Sequence, residues 1–255
     1  MMTDQFSLDG SIVLITGSTQ GIGRALATAC AEAGAHVVIN ARSAERVAAA
    51  VDDFTAAGFE ASGQVADVTN GAEVEAMVAT IEADVGPIAG LVNNAGIQRR
   101  APFLEFDLDD YRDVMETNLV SPFIVSQAVA KRMADRGAGR IVNIGSVQSQ
   151  LGRPTIVPYT ASKGGIVLLT RGMCADLGPL GIQVNCVAPG YFATELTQAL
   201  VDDPEFSAWV ESRTPSGRWG DVSELGGATV FLLSDAASFI NGQTLFVDGG
   251  MTSVV

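Results

Sequence analysis

Tyr159 and Lys163 stand four residues apart, the spacing that puts two side chains on one face of a helix, a turn apart. A free tyrosine releases its proton near pH 10, too late to serve as a base at neutral pH. A lysine ammonium about 4 Å away would change that, because at an effective dielectric of 20 the attraction is on the order of 4 kcal/mol. Before losses to desolvation, this could lower the tyrosine pKa by up to roughly three units. A hydroxyl so tuned can pass a proton to or from a substrate oxygen near pH 7. Ser146 precedes the pair by thirteen residues. Tyr-x-x-x-Lys is too short a pattern to mean anything alone, so its meaning rests on the elements that position it.

The chain has 255 residues, of which 47% are hydrophobic and 17% charged, enough for a sizeable core and unlike a disordered chain. Its formal net charge of −14 should repel nucleic acid and anionic membrane, so neither is expected as a partner. An anionic substrate would need positive charge supplied locally. Met1 to Gln5 hold no basic region and no apolar run of signal length, and no stretch is apolar enough to span a bilayer, so a cytoplasmic location is expected. Cys30, Cys174 and Cys186 are widely spaced among apolar residues, which suggests buried reduced thiols. The single histidine, His36, precedes a strand. That argues against a zinc hydrolase site or a Ser-His-Asp triad built on it, and no metal is expected.

Short apolar runs alternate with helix-prone segments along the whole chain. Strands are expected at 11–16, 36–40, 60–66, 88–92, 140–144, 183–187 and 244–247. Helices are expected after the loop ending at Gly23 as far as Ala33, at 44–57 and 73–84, within 108–136, near 158–177 and at 222–233. The alternation predicts one α/β domain over residues 1–255: a doubly wound parallel sheet of about seven strands, Rossmann-type, with helices on both faces. No linker or repeat divides it.

In such a sheet ligands bind beyond the carboxyl ends of the strands, where strand order reverses. The notable residues fall there. Gly17-Ser18-Thr19-Gln20-Gly21-Ile22-Gly23 follows the first strand, and its glycines would let backbone amides approach a pyrophosphate at the next helix's positive end. Asn40-Ala41-Arg42 follows the second strand. An acid there would bond the ribose hydroxyls of NAD, whereas Arg42 suits a 2′-phosphate, so NADP(H) is preferred and NAD(H) is the alternative. Asp67 and Val68 follow the third strand, where they could bond an adenine edge, or Asp67 could cap a helix. Asn93-Asn94-Ala95-Gly96 ends the fourth strand, with side-chain amides that can pin neighbouring strands, line a cofactor pocket, or both. Asn118 stands inside a helical stretch beside Thr117, Ser121 and Pro122, which predicts a local break or kink.

Taken together, Thr16-Gly17-x-x-x-Gly21-Ile22-Gly23, Asn93-Asn94-Ala95-Gly96, Asn118, Ser146, Tyr159-x-x-x-Lys163 and Pro189-Gly190 resemble the short-chain dehydrogenase/reductase family over essentially the whole chain. The resemblance implies reversible hydride transfer at a secondary alcohol. Tyr159 would be the general acid/base, and Lys163 would tune it and bond the nicotinamide ribose. Ser146 would donate to the carbonyl oxygen, and Asn118 would hold a water linking the lysine to solvent. Phe192 and Thr194, after Pro189-Gly190, join the implied cofactor contacts. Many NADP users of the family carry a basic residue before the second glycine, where this chain has Gln20, leaving Arg42 as the main phosphate ligand.

Segments 93–103, 147–153, 170–174, 188–195, 213–220 and 245–251 are most similar to members acting on a sugar acid, which implies D-gluconate and 5-keto-D-gluconate as the substrate pair. Gln98, Arg99 and Arg100 follow the fourth strand at the expected substrate rim, and the adjacent arginines could form the anion site. Glu105 or Asp107 could instead neutralise them. Gln148, Arg153 and Tyr191 are further candidates for substrate contact, and residues 191–218, with Trp209 and Trp219, would cover the pocket. Two other functions stay open: a 3-oxoacyl-carrier-protein reductase docking its acidic partner on Lys131, Arg132 and Arg171, and a non-catalytic dinucleotide sensor. The resemblance also implies a homotetramer.

Overall fold

The computed structural model describes residues 2–195 and 197–254. Strands β1 (Ile12–Ile15), β2 (His36–Ala41), β3 (Ala61–Val65), β4 (Ile88–Asn93), β5 (Gly139–Ile144) and β6 (Ile182–Pro189) alternate with helices α1 (Gly21–Glu32), α2 (Ala44–Ala56), α3 (Gly71–Asp84), α4 (Leu108–Met115), α5 (Ser121–Arg136) and α6 (Val157–Leu177). Beyond β6 come the short strand β7 (Phe192–Ala193), helices α7 (Gln198–Val201) and α8 (Pro204–Arg213), strand β8 (Gly220–Asp221), helix α9 (Gly226–Leu233) and strand β9 (Thr244–Val247).

Seven of these strands form one sheet in the order β3-β2-β1-β4-β5-β6-β9, every pair parallel, and β7 pairs with β8 apart from it. The side-chain period of two divides the sheet between two cores. Val13 and Ile15 of β1 join Leu26, Cys30, Phe54 and Leu232 on one face. Leu14, between them, joins Val74, Ile81, Val129 and Met133 on the other. The strand order reverses at β1, between β2 and β4, so the crevice of a doubly wound fold opens there.

Local chemistry sets the helix starts. Ser43 caps α2 by accepting from the Arg46 amide, and Asn70 caps α3 by accepting from Ala72 and Glu73. Asp107 accepts from Asp109 and Asp110 at the start of α4. The expected break around Asn118 is a π-helical turn, Glu116–Val120, joining α4 to α5. The segment at 222–233 opens as a tight 3₁₀ turn before α9 begins at Gly226.

A buried polar ladder ties the sheet to α5 and α6. Asn93 Nδ2 donates to Asn143 Oδ1 and to Ser126 Oγ, each at 2.8 Å, and Asn143 Nδ2 donates to Thr170 Oγ1 at 2.9 Å. Apolar packing alone would let α6 slide; these directional bonds fix its height on the sheet. Tyr159 and Lys163 are thereby set at the carboxyl ends of β4 and β5.

Candidate active site

The glycine loop is shaped by close approach. A Cβ on Gly23 would come 2.2 Å from the Gly17 carbonyl oxygen and 2.4 Å from Asn94 Nδ2, so no larger residue fits. Gly17 has φ of +63° and presses on Ala95. Asn94 Nδ2 donates to the carbonyls of Thr16 and Gly17, while Thr16 Oγ1 accepts from the amides of Asn94 and Ala95. The amides of residues 93–96 thus pin strands and shape the loop. Ser18 is fully buried, donating to Ile15 and accepting from the Asn40 amide, so it braces the loop.

Whether a dinucleotide fits can be judged from α1. Gln20, at its N-cap, gives no side-chain cap, the first turn carries no acid, and space above Gly21 is open. Uncapped amides beside open space, on a helix with a positive end, suit a pyrophosphate. Thr19 and Ile22 complete this loop, and Thr194 lines a 310 Å³ cleft with Gly21, Arg24 and Thr28. Phe192 is buried beneath that segment, and Gly190 packs on Asp248.

At the end of β2, Arg42 NH1 lies 3.8 Å from Asp67 Oδ2. Burial pulls the Asp67 pKa upward, but hydrogen bonds from Thr69 and the Arg42 charge outweigh it, leaving the carboxyl below its ordinary value. Its oxygen accepts from the Thr69 amide and hydroxyl, while Asn70 takes the helix-capping role. Val68 is buried in the core.

Ser146, Tyr159 and Lys163 meet at the end of β5. Ser146 is 7% exposed and hydrogen-bonded to the Tyr159 hydroxyl. Ser149, overlooked in the sequence, accepts from the Ser146 amide at 3.2 Å and donates to the Lys163 carbonyl at 2.7 Å, locking the two segments together. The Ser-x-x-Ser spacing is the signal that would have found it, since it makes a capping box.

Lys163 Nζ lies 5.6 Å from the Tyr159 ring centroid and donates its hydrogen bond to the Ile144 carbonyl at 2.7 Å. Burial pushes the Tyr159 pKa up, with the Ser146 hydrogen bond and the Arg153 charge only partly opposing it. The downward shift expected from Lys163 alone is therefore corrected: desolvation of the phenol outweighs the groups around it. Burial also lowers the Lys163 pKa from 10.5 to about 8, so the side chain still carries a proton at pH 7.

Asn118 is buried, and both of its side-chain atoms are engaged. Oδ1 accepts from the Ile97 amide at 2.8 Å, and Nδ2 donates to the Ile97 carbonyl at 2.9 Å and to Ser162 Oγ at 3.3 Å. The π turn thus clamps the strand end carrying Gly96 to Gln98 against the helix of Tyr159.

The rim arginines separate. Arg99 pairs with Asp110 at 3.2 Å on the outer surface, rather than with Glu105 or Asp107. Arg100 is exposed as well but faces Arg153 and Tyr191, and partial burial with the charge of Arg153 lowers its pKa. The Ala101 amide donates to the carbonyl of Thr155, whose φ of +69° is unusual for a β-branched residue, and this stitches the two arginine-bearing loops together. Gln98 accepts weakly from Arg100 at 3.4 Å.

Arg153 and Gln148 both hydrogen-bond the Tyr191 hydroxyl, whose pKa burial raises and these donors moderate. Gln148 is 7% exposed, and its Oε1 has no partner. Arg153 also lies 5.1 Å over the Phe206 ring, inside an aromatic cluster of Tyr191, Phe206, Trp209 and Trp219. Among the described residues neither Arg100 nor Arg153 has a carboxylate within ion-pair distance. Leu196, within the 191–218 segment, lies outside the described residues.

Elsewhere, His36 sits at the opposite end of β2 against Ser62 and Glu60, apart from this cluster. Cys30 and Cys186 are buried free thiols, with burial raising their pKa to about 12 and about 11, whereas Cys174 is only half-buried.

Known proteins are similar to this chain over its whole length. The family profile described as enoyl-(acyl carrier protein) reductase matches residues 17–252. A 5-keto-D-gluconate 5-reductase of Escherichia coli (strain K12) is 54% identical over 254 residues, covering all of both chains. A gluconate 5-dehydrogenase of Gluconobacter oxydans (strain 621H) is 56% identical, covering 98% of this chain and 97% of its own. The crystal structure of a gluconate 5-dehydrogenase from Burkholderia cenocepacia J2315, in complex with NADP and tartrate, superposes with a TM-score of 0.98 at 56% identity over the full length of both.

Proposed function

The chain belongs to the short-chain dehydrogenase/reductase family, and from that premise we propose that it interconverts D-gluconate and 5-keto-D-gluconate with NADP(H). The observation that carries the substrate assignment is the pair Arg100 and Arg153. In a chain of charge −14, Arg153, whose charge reaches the Tyr159 hydroxyl, and Arg100, whose neighbours are Arg153 and Tyr191, are both left without carboxylates among the described residues. Unpaired like charges held together cost free energy that an arriving carboxylate would recover.

Bound NADP(H) would supply or accept the hydride at the reacting carbon. Tyr159 would give a proton to the carbonyl oxygen in reduction and remove it in oxidation. Ser146 would donate to that oxygen, stabilising the charge that grows there. Lys163, protonated at neutral pH, would bias Tyr159 electrostatically and bond the nicotinamide ribose. Asn118 would act mainly by holding the Ile97 backbone and α6 in register, with any water it holds joining the proton path. Gly17 to Gly23, Asn94 to Gly96, Pro189 to Thr194, Arg42, Asp67 and Val68 would form the cofactor's bed. Arg100 and Arg153 would bind the carboxylate, with Gln98, Gln148 and Tyr191 bonding hydroxyls and residues 191–218 covering the pocket. The outward-facing Arg99 supports an ordering role for its loop.

A 3-oxoacyl-carrier-protein reductase has the matched profile's description in its favour. Its proposed basic docking patch is weakened by the Lys131–Glu75 ion pair at 2.7 Å. The exposed apolar side chains Phe103, Leu104, Leu108, Phe123 and Leu168 support a homotetramer, and the free thiols suit a cytoplasmic location. Among the described residues no helix is long and apolar enough to cross a membrane.

The test is a rate comparison with NADPH and NADH against 5-keto-D-gluconate and a β-ketoacyl thioester. NADPH with the keto acid should give the highest kcat/KM. A higher value for the thioester would move the chain to the rival reductase, and cofactor binding without turnover on a wide polyol and keto-acid panel would revive the sensor.

A further inference from the structure

We infer that Arg46 is a second cation for the 2′-phosphate of NADP(H), held in place by Gln20. The inference deepens the cofactor assignment and rests on it. In a doubly wound fold the 2′ position of the adenine ribose lies at the end of β2, where an arginine can accommodate the phosphate. Arg42 occupies that place, but its NH1 is 3.8 Å from Asp67 Oδ2, and its side chain is 77% exposed. Part of its charge is already answered by Asp67. A phosphate monoester near doubly ionised at pH 7 calls for more than one such group.

Arg46 is one helical turn further, with its backbone amide donating to the Ser43 cap at 3.3 Å. Its guanidinium reaches back to the glycine loop and donates to Gln20 Oε1 at 3.3 Å. Gln20 is free to serve as that anchor because it gives no side-chain cap to α1. Among the described residues Arg46 has no carboxylate partner, in a chain whose acids outnumber its lysines and arginines 29 to 15. A cation in the first turn of a helix also opposes the helix dipole, so its position has a local cost. An anion bound between the glycine loop and the end of β2 would reverse that cost. Gln20 stands just before the second glycine of the loop, so a neutral residue there and a guanidinium from α2 together deliver positive charge to the same gap. Arg46 binds the phosphate; Gln20 is the positioning residue.

The test titrates the full-length protein with adenosine 2′,5′-bisphosphate and with 5′-ADP in a calorimeter, at fixed salt. The wild type should prefer the 2′-phosphorylated ligand. Arg46→Ala should weaken that ligand about tenfold and change 5′-ADP by less than about twofold, the unchanged 5′-ADP affinity serving as the control for folding. Arg46→Lys should recover part of the loss, and Gln20→Ala should lose less than Arg46→Ala. In turnover, KM for NADPH should rise in Arg46→Ala with kcat unchanged. If Arg46→Ala binds adenosine 2′,5′-bisphosphate as tightly as the wild type, or loses both ligands equally, the inference is wrong although the cofactor assignment stands. If the wild type itself shows no preference between the two ligands, the NADP(H) assignment fails first and Arg46 with it.

Discussion

Lys163→Met removes an ammonium that the fold holds at 5% exposure between Tyr159 and the end of β5. The effect on stability can be worked from its titration. Burial lowers the pKa from 10.5, the value expected in the unfolded chain, to about 8 in the folded one. Between those values the unfolded state binds a proton that the folded state does not, so wild-type stability rises with pH across the window. Integrated from pH 7 to 9.5, the gain from this one group is about 2 kcal/mol. Lys163→Met has no such term. Its stability relative to wild type should therefore fall by about 2 kcal/mol over the same range, whatever its offset at pH 7 from losing the bond to Ile144. Urea unfolding followed by tryptophan fluorescence, at one protein concentration and several pH values, reads this difference directly. Other titrating groups cancel between the two proteins. A difference that stays constant from pH 7 to 9.5 would mean the amine is solvated in solution, and the account of a buried cation beside the phenol would be refuted.

Arg100→Ala and Arg153→Ala should each raise KM for 5-keto-D-gluconate by about tenfold or more, and change KM for a neutral ketone much less, since only the carboxylate is lost as a partner. Equal effects on both ketones would remove the anion site from the account. Gly23→Ala should abolish dinucleotide binding, because its Cβ would sit 2.2 Å from the Gly17 carbonyl. Retention of wild-type affinity for NADPH in that variant would show that the loop shape does not control cofactor binding. Asn118→Leu should lower both thermal stability and kcat, because two hydrogen bonds to Ile97 and one to Ser162 vanish. A loss of kcat with no change in melting temperature would assign Asn118 to the proton path alone.

Much of the fold was legible because it is encoded locally. Val13, Leu14 and Ile15 form an unbroken apolar run since β1 is covered on both faces. The placement of Tyr159, Ser146 and Gly17 to Gly23 at one edge followed from the alternation of elements. The two-residue strands β7 and β8 were not legible, since so short a pair has no periodicity and is stabilised by what surrounds it. Nor could the sequence distinguish Arg99 from its neighbour Arg100. One finds Asp110 eleven residues on and the other meets Arg153 across a loop contact set by Thr155. The direction of the Tyr159 shift was not legible for a related reason: helical spacing says nothing of how deeply the phenol is buried, and burial dominates its titration.

Tyr159→Phe tests the central claim most directly, because it removes one oxygen and leaves the aromatic packing in place. NADPH binding, followed by fluorescence, should stay within about twofold of wild type, while oxidation of NADPH by 5-keto-D-gluconate should fall by at least about a hundredfold, the scale of a lost general acid. A purified variant that still turned over at more than about a tenth of the wild-type rate would contradict the assignment of the proton to this phenol.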